Sequence, residues 1–170
     1  AKVGGLTDVT VISSDVGSWT MSGPLTGGSL EFESAGKISV RGDVTGDIET
    51  RLADLGSLTI KDGDLAGSVA VGGAMKTLSV SDSLTGTVAV DGGDLSTVKI
   101  GDDLLGGVDV TYGMTKSVKI GGDLGGDLAT DASYRAGLAI KKFSVKGDLY
   151  GIVAAGGDLS IIGKDWFGAR

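Results

Sequence analysis

The sequence predicts an all-β fold, a parallel β-helix (β-solenoid) of about eight coils with about 20 residues in each coil. Three observations predict it. Glycine accounts for 32 of 170 residues, about 19 % against roughly 7 % in an average soluble domain. The apolar residues Val, Ile and Leu stand in short alternating segments, and these segments recur at a nearly constant period. Such a period is typical of repeat architectures, in which each unit buries its apolar side chains against its neighbours.

The first repeated element is a triplet in which two apolar residues flank a polar central residue. This alternation is typical of a half-buried strand. The triplet advances by twenty residues over its central five copies and is preceded and followed by one more copy each: Trp19-Thr20-Met21, Ile38-Ser39-Val40, Leu58-Thr59-Ile60, Leu78-Ser79-Val80, Val98-Lys99-Ile100, Val118-Lys119-Ile120 and Phe143-Ser144-Val145.

The second element is a corner, in which an apolar residue is followed two positions later by glycine. We expect glycine here because a sharp turn uses positive φ, which glycine adopts without steric cost. The expected structural glycines are Gly27, Gly46, Gly67, Gly86, Gly106, Gly126, Gly151 and Gly168.

The third element is a further alternating segment directly after the corner, for example Val69-Ala70-Val71 and Leu128-Ala129-Thr130. A weaker apolar position follows it, at Val16, Leu55, Met75, Leu95 and Met114. Coils of this kind stack their strands about 4.8 Å apart, so eight of them form a rod roughly 38 Å long.

We expect one solenoid domain over residues 1–170, a fragment of a longer repeat protein, with a corner insertion at 131–142. The insertion carries a local excess of positive charge beside an aromatic ring, and loops on rigid scaffolds often carry recognition. An insertion that the corner tolerates without any role in binding explains these extra residues equally well. The candidate partner contacts are Tyr134, Arg135, Lys141 and Lys142.

The charge and the missing residue types exclude several functions. The net charge is −7, which argues against nucleic acid as a partner. No apolar run approaches the ~20 residues of a membrane span. Without His or Cys, the usual zinc sites and the Ser-His-Asp and Cys-His catalytic groups are excluded. The outward rows also do not indicate a pair of carboxylates matched with an arginine, so we expect no enzyme and no cofactor.

Aspartate precedes the corner apolar residue in six of eight copies. Stacked at 4.8 Å, neighbouring carboxylates repel by about 0.9 kcal/mol in water. One interpretation is an Asx turn, in which each carboxylate accepts the N–H two residues ahead. The other is a calcium ion held by clustered oxygens, with candidates at Asp62, Asp64, Asp82, Asp102, Asp103 and Asp123.

The pattern Val-x-Ile-x-Gly-Asp-Leu-x-Gly-x-Val-x-Val resembles the β-solenoid stalks of bacterial surface and secreted proteins, the filamentous-haemagglutinin-like and β-strand-repeat group. It is also similar to bactofilins, whose coils polymerise end to end. The first resemblance implies a structural or adhesive rod outside the cell or at its surface. Its partners would be flanking coils, another copy joined end to end, or a surface glycan or protein. The second implies a cytoplasmic, self-assembling scaffold. A polysaccharide-acting β-helix enzyme is the third hypothesis.

Overall fold

A computed structural model describes residues 2–126 and 132–162 of the chain. In these residues every regular element is a β-strand, and no helix of a length or apolarity suited to a membrane span occurs among them. The strands are β1 (Lys2–Val3), β2 (Leu6–Thr7), β3 (Thr10–Val16), β4 (Trp19–Met21), β5 (Leu25–Thr26), β6 (Ser29–Arg41), β7 (Asp47–Thr50), β8 (Leu55–Lys61), β9 (Ser68–Val71), β10 (Met75–Val80), β11 (Thr87–Val90), β12 (Leu95–Ile100), β13 (Gly107–Val110), β14 (Ser117–Ile120), β15 (Ser133–Ala136), β16 (Ile140–Val145), β17 (Ile152–Ala155) and β18 (Leu159–Ile162).

The strands stack in parallel into a solenoid of about eight turns, which confirms the predicted fold class. One set of strands, here the first sheet, consists of β1, β4, the end of β6, and then β8, β10, β12, β14, β16 and β18. Its register follows the sequence period, since Leu58 pairs with Leu78 and Leu78 with Val98. Each residue therefore lies on its equivalent in the neighbouring coil.

The chain then crosses a narrow edge and enters the second sheet. At this edge, here the leucine edge, the coils are joined by single parallel bridges from Leu25 through Leu65 and Leu104 to Leu149. The second sheet consists of β3, the start of β6, and β7, β9, β11, β13, β15 and β17. Because β6 runs unbroken for 13 residues, it joins the two sheets into one.

The core is a set of inward columns of like side chains. Leu65, Leu84 and Leu104 at the leucine edge are completely buried, as are Leu58, Leu78 and Val98 in the first sheet. Stacking like on like fills the narrow interior without large rings, because every coil presents the same volume to its neighbours.

Two expectations about the third column and the insertion are wrong. The column after Met75 and Leu95 continues in Thr115, not Met114, because Thr115 bridges to Ile140 and is fully buried.

The seventh strand of the second sheet is β15, in which Tyr134 pairs with Val108 of β13. Residues 133–136 thus form a regular rung and not a corner insertion. Asp131 and the segment 128–130 lie outside the described residues.

The expectation that the corner glycines adopt positive φ is also wrong for all but one of those described. Of those described, only Gly27 has a positive φ, 66°. Close stacking requires a glycine at five other corners, because a Cβ there would lie closer than 3.0 Å to backbone atoms of the coil before it: Gly46, Gly67, Gly86, Gly106 and Gly151. At this corner the Leu84 carbonyl accepts two N–H groups, from Leu105 (2.8 Å) and Gly106 (3.0 Å). Gly168 lies outside the described residues.

Candidate functional site

The aspartates beside the leucine edge form a ladder that runs along the rod. The backbone N–H of Asp64 donates to Oδ1 of Asp43 (3.0 Å), and the N–H of Ser83 donates to Oδ1 of Asp64 (2.8 Å). Further along, the N–H of Asp123 donates to Oδ1 of Asp103 (2.7 Å). Each carboxylate thus accepts a hydrogen bond from the equivalent residue one coil later, so the predicted Asx turn is wrong.

A second ladder of the same kind runs along the opposite corner. The backbone N–H of Ala74 donates to Oδ1 of Asp54, and the N–H of Met114 donates to Oδ1 of Asp94.

This ladder explains why stacked carboxylates are tolerated. A hydrogen bond between an N–H group and an ionised acceptor is stronger than one between neutral groups, and it offsets the repulsion within the column. This edge is tight, because a Cβ at Gly63 would lie closer than 3.0 Å to backbone atoms of Gly42 and Asp43. The preceding residue, Asp62, turns with a positive φ of 55°. The Asp62 carboxylate lies 3.5 Å from Arg41 Nε, with both side chains largely exposed.

The calcium candidates do not converge on one point. Among the described residues, no three Asp or Glu side chains are grouped so that they could hold a metal ion. The carboxylates of Asp64, Asp103 and Asp123 each bind a backbone N–H of the next coil instead. Asp82 and Asp102 are linked through the main chain, where the Asp102 N–H donates to the Asp82 carbonyl (3.1 Å).

Replacing Asp103 with alanine is expected to lower the free energy of unfolding by about 1 kcal/mol, because the Asp123 N–H loses its acceptor. Asp103→Asn keeps an oxygen at that position and removes one repelling charge, so its effect should be less than half as large. Urea denaturation of the three proteins measures both values. Equal losses in the two variants would show that the charge, not the hydrogen bond, is what matters. A loss that appears only with added Ca²⁺ would restore the metal interpretation.

The second sheet carries a cluster of opposite charges that the sequence analysis missed. Glu31 and Glu49 lie opposite each other on neighbouring strands, and Arg51 contacts both: its Nη2 binds Glu31, and its Nε lies 3.5 Å from Glu49. The expectation that no matched carboxylates accompany an arginine is therefore wrong. The signal was present, because Glu31, Glu49 and Arg51 are spaced to face outward on adjacent rungs.

This cluster borders a shallow cleft of about 240 Å³ whose walls include Ile12, Ser14 and Glu33. A glycosidase places its substrate bond between two carboxyl groups. Here the guanidinium of Arg51 contacts both carboxylates and takes that position. The geometry supports a local ion-pair network that joins two coils.

The four predicted partner contacts do not form one site. Tyr134 is completely buried. Its hydroxyl lies 2.9 Å from Thr115 Oγ1, and its ring packs edge to face on the ring of Phe143, with 5.4 Å between the ring centroids. Burial raises the pKa of the Tyr134 phenol far above its ordinary value. Tyr134 as a surface contact is thus wrong, because alternation turns it inward on β15. Arg135 is exposed on the second sheet, whereas Lys141 and Lys142 are exposed on the first.

Comparison with protein-family models, with curated proteins and with solved structures finds no significant match to this chain.

Proposed function

We propose that this chain is a non-enzymatic structural rod, a spacer or adhesive stalk at the surface of a bacterial cell or secreted from it. The observation that carries the proposal is the unbroken axial stacking. Hydrogen bonds link equivalent residues of successive coils in both sheets and along the leucine edge, and carboxylate ladders add to them.

Such stacking makes the molecule stiff along its axis. In a solenoid each coil contacts only its neighbours, so the length grows with the number of coils while the cross-section stays constant. A rod of this kind serves to hold attached parts at a fixed distance and to present long flat sides to a partner. The ion pair of Arg51 with Glu31 fits this role, since it ties two successive coils together at the surface.

Small-angle X-ray scattering on the purified chain tests the proposal. A monodisperse particle whose scattering fits a rod roughly 38 Å long, together with no turnover in a polysaccharide-degradation screen, is the expected result. Turnover of any glycan would favour the enzyme hypothesis. A particle that lengthens with protein concentration would favour a self-assembling, bactofilin-like scaffold.

A further inference from the structure

The outward side of the first sheet has an unusual composition. Over six coils, the residues that do not enter the core occupy four positions in each coil. We call this surface the lysine face. All 24 positions carry a cation, a hydroxyl or glycine: the cations are Lys37, Arg41, Lys61, Lys76, Lys99, Lys116, Lys119, Lys141, Lys142 and Lys146, ten Ser or Thr residues lie among them, and four positions are glycine.

Folding therefore segregates the charge of this acidic protein. The six stretches 36–41, 56–61, 76–81, 96–101, 116–121 and 141–146 hold ten of the 15 basic residues and none of the 22 acidic ones. The remaining residues carry 5 − 22 = −17. All ten cations are exposed. Within the described part of the chain, Arg41 pairs with Asp62 and the nine lysines form no ion pair.

This arrangement is unfavourable for stability alone. Lys99 and Lys119 lie directly opposite each other on neighbouring strands, and like charges so placed are destabilising. Lys116 lies on the same coil as Lys119, and Lys141 and Lys142 lie on the next coil. Carboxylates are abundant elsewhere in the chain but do not enter this face, so an anion from outside is what would offset the repulsion.

We propose that the lysine face binds a linear acidic polysaccharide, which lies along the rod and presents its carboxylate or sulfate groups to the stacked lysines. The inference rests on the proposed function, for which it names the adhesive partner. Because equivalent residues repeat about every 4.8 Å along the axis, a polymer running in that direction meets a lysine or a hydroxyl at every coil.

The dimensions of the face favour a narrow polymer over a lipid surface. Its four positions span about 17 Å along each strand, which is the width of the face perpendicular to the rod axis. Aspartates border it on both sides, with Asp64 and Asp103 at the leucine edge and Asp54 and Asp94 at the opposite corner. A planar anionic membrane would extend over these carboxylates and be repelled, whereas a single polysaccharide chain fits between them.

The residue types favour a sugar polymer over a nucleic acid. Single-stranded nucleic acids bind through aromatic side chains on which the bases stack, and the 24 outward positions include no aromatic residue. Nine of the ten cations are lysine, although arginine is preferred for bidentate contact with phosphate. The hydroxyls of Thr77, Ser79 and Thr97 supply donors and acceptors that match the hydroxyl groups of a sugar.

Fluorescence anisotropy with labelled oligogalacturonate and with labelled dextran sulfate tests the proposal, and separates carboxylate from sulfate recognition. At low ionic strength, about 50 mM NaCl, we expect saturable binding that weakens steeply as salt is added, and no binding of neutral dextran. The variant K99E/K119E should bind at least about tenfold more weakly. The matched single variants are K119E and R135E, which change the net charge equally. Arg135 is exposed on the second sheet, outside the face, so R135E should change the affinity by less than about twofold, whereas K119E should weaken binding at least about threefold.

Circular dichroism and the melting temperature establish that K99E/K119E, K119E and R135E are folded, and K99Q/K119Q gives a milder change if K99E/K119E is unstable. Equal weakening by K119E and R135E, or no binding of either acidic polymer, would overturn the proposal. Tighter binding of single-stranded DNA or of phosphatidylserine vesicles would also overturn it, as would sedimentation showing that a second copy covers the face. None of these results would alter the rod shape measured by scattering, so the proposed function is tested separately.

Discussion

Replacing Gly106 with alanine is expected to lower the free energy of unfolding by about 3 kcal/mol or more, because the added methyl group overpacks a backbone contact. A Cβ at Gly106 would lie closer than 3.0 Å to the carbonyl oxygens of Gly86 and Thr85 in the preceding coil. Backbone atoms of a stacked coil cannot rotate away as a side chain can. The two hydrogen bonds to the Leu84 carbonyl at this corner would lengthen together with the shift.

The next residue supplies the control. A Cβ at Gly107 would meet only side-chain atoms, Ser133 Oγ at 3.7 Å and Thr87 Cγ2 at 4.0 Å, which is ordinary contact. Gly107→Ala should be neutral or stabilising by about 0.4–1 kcal/mol, because alanine has less conformational freedom in the unfolded chain. Urea or thermal unfolding of both variants measures the contrast. If the two substitutions had the same effect, crowding could not be the reason for the corner glycines.

Replacing Tyr134 with phenylalanine is expected to destabilise the protein by about 1–3 kcal/mol at neutral pH, because the hydroxyl of buried Thr115 loses its partner. The double variant T115V/Y134F removes both polar groups and should recover most of the loss. Tyr112→Phe is the matched control, since the Tyr112 side chain is 74 % exposed. Additive losses in the double variant would show that the two hydroxyls do not form a stabilising pair.

The same residue predicts an alkaline effect. Burial raises the pKa of Tyr134 in the folded protein, while in the unfolded chain the phenol ionises near pH 10. The unfolded chain therefore releases this proton first, and stability falls above pH 10 by up to about 1.4 kcal/mol per pH unit. The advantage of the natural protein over Tyr134→Phe should shrink between pH 9 and pH 11. A constant difference over that range would contradict the buried neutral phenol.

Much of this fold could be predicted because its strongest determinants are local and periodic. The step of twenty residues fixed which strands stack, and alternation fixed which side chains enter the core, as Leu78 on Leu58 illustrates. Periodicity was misleading where two registers both alternate. The segment 128–130 keeps the period, yet the strand that pairs with β13 is Ser133–Ala136. The same step of twenty from Leu95 leads to Thr115, but Met114, one position earlier, was predicted as the core residue because its side chain is apolar.

The sequence alone determined the architecture, the number of coils and the exclusion of His-based and Cys-based chemistry, because composition and period depend on no contact. The tertiary structure decided how the charges meet. Whether Asp103 bonds within its own turn or to the next coil depends on the spacing between coils, and so does the glycine requirement at Gly106. Net charge is likewise a sum that ignores position. A chain of −7 acquires a face of ten cations only when its coils lie on one another.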